Sequence, residues 1–73
     1  MIDMTYDPEA DALYIHVGHA NIDRQSEAGP FIYDLDAEGR IVGIEILSAS
    51  KVLASGEWRN ARRPSATSVD AAE

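Results

Sequence analysis

The stretch Asp34-Leu35-Asp36-Ala37-Glu38-Gly39-Arg40-Ile41-Val42-Gly43-Ile44-Glu45 decides the fold, because it fits two templates that imply different proteins. One is a calcium loop, with carboxylates at Asp34, Asp36, Glu38 and Glu45, glycine at Gly39 and isoleucine at Ile41 in the expected places. The other is a β-hairpin in which Ala37-Glu38-Gly39 turns between two strands. The flanks decide for the hairpin. A helix must enter a calcium loop, yet Gly29-Pro30 stands directly before Phe31-Ile32-Tyr33. A helix must also leave it, yet Arg40 to Leu47 is rich in β-branched residues and reads as strand. In a hairpin, Asp34 and Asp36 share a face, and Glu45 lies several residues along the neighbouring strand.

Outward from this hairpin the chain keeps strand period. Phe31, Tyr33 and Leu35 alternate with Ile32, Asp34 and Asp36. In the next strand Val42, Ile44 and Ile46 form one face, and Ile41, Gly43, Glu45 and Leu47 form the other. Gly43 inside a strand signals a bulge or a close backbone approach. Near the N-terminus Ile2, Met4 and Tyr6 alternate with Asp3 and Thr5. Asp7-Pro8-Glu9-Ala10 reverses the chain. Leu13, Ile15 and Val17 then pair back as a second strand. Gly18-His19-Ala20-Asn21 is a further turn, and the polar residues 22–27 read as an edge strand. After the hairpin, Ser48 can cap a short helix through its hydroxyl, with Val52 and Leu53 docking it and Gly56 as a stop. Trp58 adds a last packed contact.

These elements predict an α+β fold that is mostly β, a four- to five-stranded antiparallel meander with one short C-terminal helix. Each connection is expected to join neighbours. A single domain over residues 1–56 and a disordered tail over 57–73 are expected, because the chain past Arg59 is small, polar and unpatterned. Tyr14, Ile32, Ile41 and Leu47 can all lie on the second sheet face, which one short helix cannot cover. They are therefore the candidate partner-binding residues.

Seventy-three residues allow one small, marginally stable domain. With no cysteine, neither a disulfide nor a thiolate metal site can reinforce it. The net charge of −7 falls on residues 1–55, with ten acids against three bases. Such a domain repels phosphate backbones, which argues against nucleic-acid binding, and suits a basic protein partner. Solubility alone is the commoner meaning of that charge. No apolar run is long enough to cross a membrane and no leader pattern is visible, so a cytoplasmic protein is expected.

Two motifs carry a resemblance. Tyr6-Asp7-Pro8-Glu9-Ala10-Asp11-Ala12-Leu13-Tyr14-Ile15 and Asp34 to Leu47, followed by Ala49-Ser50, occur in the order and spacing of a small bacterial family catalogued as domain of unknown function 2283, which the chain resembles over roughly residues 4–52. The resemblance implies a compact β-rich stand-alone domain and carries over no activity or functional residue. Short chains of this kind can be one half of a two-gene pair, such as an antitoxin-like companion, by analogy only.

The remaining motifs favour structure over chemistry. His16 and His19 are two imidazoles three residues apart, on a strand and in a turn, and read as surface histidines more readily than as zinc ligands. Ser48-Ala49-Ser50-Lys51 has the Ser-x-x-Lys spacing of some acyl-transferring enzymes without its companion motifs, so helix capping is the stronger reading. The acids Asp7, Glu9 and Asp11, and then Asp34, Asp36 and Glu38, read as turn and cap chemistry. Arg59, Arg62 and Arg63 read as a solvated linker. No cofactor and no catalytic residue is assigned. The expectation is a non-enzymatic module that forms a homo-oligomer or binds a small basic protein. The alternative is a small ligand-binding domain or enzyme whose site is shared between subunits.

Overall fold

The computed structural model describes residues 3–64. Five strands, β1 (Asp3–Asp7), β2 (Ala12–His16), β3 (Arg24–Ala28), β4 (Phe31–Leu35) and β5 (Ile41–Ile46), are followed by the helix α1 (Ala49–Val52) and a 3₁₀ turn (Glu57–Asn60). All neighbouring strands are antiparallel and form one sheet in the order β1-β2-β5-β4-β3. This is the mostly β architecture with one short helix that the alternation predicts. Ile2 and residues 65–73 of the tail lie outside the described residues.

Each tight turn has a local cause. Between β4 and β5 the Asp36 carboxylate accepts the Glu38 and Arg40 backbone N–H groups at 2.9 and 2.8 Å, and the Arg40 guanidinium at 3.1 Å. Gly39 supplies the left-handed step, with φ 81°. Between β1 and β2, Asp7 accepts the Glu9 N–H, and Asp11 takes φ 53°.

One connection does not join neighbours. The link from β2 to β3 passes across the ends of β5 and β4, donating Val17 and Gly18 N–H to the Val42 carbonyl and Asp23 N–H to that of Leu35. The apolar β5 thereby takes the centre with a partner on each side, and the charged β3 takes the edge, where its side chains are all exposed.

Beyond residue 56 the described chain packs back on the sheet. Trp58 in the 3₁₀ turn packs edge-on to Tyr6, with ring centroids 5.0 Å apart. Tyr6 N–H donates to the Arg62 carbonyl, which sets residue 62 alongside β1. The tail arginines up to residue 63 bond back rather than forming a solvated linker. Arg59 lies over the Trp58 ring, Arg62 pairs with Asp3 and Arg63 reaches the Ala61 carbonyl. The aromatic contact with Tyr6 explains why this polar stretch stays attached.

The helix begins differently from the reading of Ser48 as its cap. Ser48 sits at φ 53° and its hydroxyl makes no capping bond. Asp11, from the first turn, takes that role. Its carbonyl accepts Ala49 N–H at 2.8 Å, and its carboxylate accepts the Ser50 N–H and hydroxyl. The helix ends at Val52, before Gly56, and Leu53 rather than Val52 reaches the core. That core is Tyr6, Leu13, Ile46 and Ala49, with Met4, Ile15, Phe31, Ile44, Leu53, Trp58 and Ala61 packed around it.

Candidate functional site

The strand registers define a sheet face that neither helix touches. One row across it is Thr5, Tyr14, Glu45, Ile32 and Glu27, and the next is Asp3, His16, Gly43, Asp34 and Gln25. Two forces shape this face. The first is close packing at Gly43. A Cβ there would lie 1.9 Å from the Tyr14 hydroxyl oxygen and 2.5 Å from the ring carbon that bears it, so only glycine lets the ring lie flat across β5. This is the close approach that an isolated strand glycine signals.

The second is hydrogen bonding at Asp34. The ring carries the Tyr14 hydroxyl over to β4, where it donates to Asp34 Oδ2 at 2.8 Å. From the other side Gln25 Nε2 donates to Asp34 Oδ1 at 2.8 Å. Asp34 is only 6% exposed, so each of its oxygens needs a donor, and each has one. Burial, reinforced by the Asp34 carboxylate, pushes the Tyr14 hydroxyl up to about 12. Tyr14 is therefore a neutral donor at ordinary pH. The chain Tyr14–Asp34–Gln25 ties β2, β4 and β3 together over the backbone of β5.

Around this network the charge is one-sided. Asp3, Asp7, Glu27, Asp34 and Glu45 are all the carboxylates of the five strands, and the alternation puts every one on this face. The strand arginine, Arg24, falls on the opposite face, opposite Leu35. Arg62 reaches the near edge and pairs with Asp3. Tyr14 and Ile32 thus stand half-buried among acids.

Of the four candidate residues the structure brings Tyr14 and Ile32 together on this face, flanking Glu45. Ile41 does not join them. After Asp34 pairs with Gly43, Leu35 pairs with Ile41, which leaves Val42 as the extra residue of a bulge. That shift moves Ile41 out of line with Gly43 and Glu45. Leu47 lies just past the end of β5 and is 39% exposed.

The other motifs take structural places. The carboxylates of the would-be calcium loop diverge, with Asp34 in the tyrosine network and Asp36 holding the hairpin turn. His16 and His19 do come together, with ring centroids 5.9 Å apart, and with Asp3 and Val17 they line a groove of about 210 Å³. Asp3 there is engaged by Arg62 and by the Met4 N–H. Among the described residues no group of three or more His, Asp or Glu is placed to hold a metal ion. A groove of about 250 Å³ runs beside Asn21, Asp36, Glu38 and Arg40. No described helix is long and apolar enough to cross a membrane.

The Asp34 network and the Asp11 cap escape sequence reasoning, since both join residues distant in the chain. Gly43 is the signal that pointed to the first. Against known proteins, residues 3–50 match the model of the family described as "Protein of unknown function (DUF2283)". No curated protein and no solved structure matches the chain.

Proposed function

The chain belongs to the DUF2283 family, and from that premise we propose that it is a non-enzymatic binding module whose acidic sheet face takes a basic protein partner. The observation that carries this reading is the gathering of all five strand carboxylates on one face around Tyr14 and Ile32. A basic segment laid across the face is drawn in by the field of the whole domain, whose net charge is −7. It meets an aromatic ring already held in place by Gly43 and Asp34, so little side-chain freedom is lost on contact. Tyrosine suits that role because its body is apolar and its tip polar. The same charges repel nucleic acid.

The test is capture of companions from the native host by the tagged full chain, beside the double variant Glu27→Gln/Glu45→Gln. The expected result is one stoichiometric, net basic companion that binds the parent chain, weakens steeply with salt and is lost from the variant. If that companion is encoded beside this chain, the two form a paired system. A companion that stays with the variant, or none at all, overturns the reading.

A further inference from the structure

The chain leaving β2 brings two imidazoles to one place. His16 closes β2, paired with Asp3 of β1 and Gly43 of β5. His19 follows three residues later, and the two ring centroids stand 5.9 Å apart at a tilt of 42°. The backbone between them is pinned, because Val17 and Gly18 both donate their N–H to the Val42 carbonyl, at 2.7 and 2.9 Å. Both side chains are exposed, and among the described residues neither imidazole makes a hydrogen bond. With Asp3 and Val17 they line the groove of about 210 Å³. We propose that His16 and His19 chelate one divalent transition-metal ion of the zinc and copper class, with water in the remaining coordination positions.

The separation of the rings fits that chemistry. A zinc ion holds imidazole nitrogens at about 2.0–2.1 Å, which sets the centres of two rings on one ion about 4.5–6.4 Å apart as the angle at the metal opens from a right angle to a straight line. The observed 5.9 Å lies inside that span. Because both rings are exposed, turning one about its side-chain bonds to aim a nitrogen disturbs no core contact. Imidazole is a borderline donor, so the pair selects zinc, copper or nickel over calcium and magnesium, which take oxygen ligands. Charge favours a cation here as well. His16 stands in the row of Asp3 and Asp34 on the acidic face, and the chain carries −7. Asp3 lines the groove without being a ligand, since its carboxylate is engaged by Arg62 and by the Met4 N–H. It is placed to accept a hydrogen bond from water on the ion, an outer-shell role. Two protein ligands leave coordination positions open, so the ion exchanges readily and stays within reach of a donor from another molecule.

The metal site does not rest on the protein-binding reading, and its test is separate. The untagged full chain is titrated with zinc chloride, followed by calorimetry and by NMR of the imidazole nitrogens. One equivalent of zinc is expected to bind saturably below millimolar concentration and to shift the ring signals of both histidines. Calcium and magnesium are expected to shift neither. Outer-shell partners at metal sites already matter by about 10–100-fold, so loss of a ligand is expected to weaken zinc binding by at least about tenfold in His16→Gln and in His19→Gln. Both side chains are exposed, so each variant is expected to keep the parent's circular-dichroism spectrum. No saturable binding up to millimolar zinc overturns the inference. Binding that stays as tight in either variant overturns it as well, because that ring is then no ligand. Failure of zinc to bind leaves capture of a basic companion untouched, and failure to capture a companion leaves the zinc titration untouched.

Discussion

At the scale of single residues, Gly43 and Tyr14 form one unit. The backbone of Gly43 is the floor on which the Tyr14 ring lies, and the Tyr14 hydroxyl is one of two donors that make a buried Asp34 tolerable. Gly43→Ala therefore has to swing the ring aside and break the bond to Asp34. The expected cost is about 1–3 kcal/mol, the usual range for overpacking and for an orphaned buried acceptor. In a Tyr14→Ala background the three atoms nearest to the added methyl are gone, and alanine is the better strand residue by roughly 0.5–1 kcal/mol. Its sign should then reverse. Urea unfolding of the two single variants and the double variant measures this coupling, and additive effects would show that ring and glycine do not depend on each other. Gly43 shows how far sequence reading goes here. A lone glycine in a β-branched run says that something lies close above it. It does not say that the neighbour is Tyr14, because the pairing of β2 with β5 has no local signature.

At the scale of elements, the helix depends on the first turn of the chain. Four residues cannot sustain a helix alone. α1 stands because Ala49 is fully buried and because Asp11 accepts its first N–H groups. Asp11 occupies a left-handed step, which asparagine also tolerates. Asp11→Asn should thus cost less than Asp11→Ala, which loses the cap and the charged acceptor together. The bonds from Ser50 and then from Tyr6 hold the Asp11 carboxyl below the usual carboxylate range. A lowered folded value means stability that is present above the unfolded value of about 3.9 and is lost as pH falls through the folded one. The acid limb of unfolding is therefore expected to flatten in Asp11→Asn, and an unchanged limb would remove Asp11 from the account of acid sensitivity. The strands themselves were legible from alternation, and the hairpin turns from their Asp, Gly and Pro residues. The helix cap was not. Ser48 is the local candidate, and only the folded chain shows an aspartate 37 positions earlier taking its place.

At the scale of the whole molecule, the sequence after Gly56 reads as tail because it has no period and sums to zero charge. Yet Trp58 closes the open end of the core over Tyr6, and its indole N–H donates to the Ala54 carbonyl. Arg62 then bonds along β1, which shields part of an exposed edge. One aromatic residue in a polar stretch outweighs the composition around it, since a small domain has few large side chains to place. Trp58→Ala should cost about 2 kcal/mol, below the ~3–5 kcal/mol of a fully buried tryptophan because the ring is half-exposed. At roughly 4–8 °C per kcal/mol for a domain of this size, that lowers the melting temperature by about 10 °C. A chain ended at residue 56 should lose more, because Tyr6 is exposed and the Arg62 bonds go with it. Thermal unfolding by circular dichroism decides this, with every variant at one low concentration so that self-association does not enter the comparison. Equal melting of the shortened and full chains would return the boundary to residue 56. A large loss would mean that the family's matched segment, residues 3–50, is a sheet that still needs a lid from outside the match to complete its core.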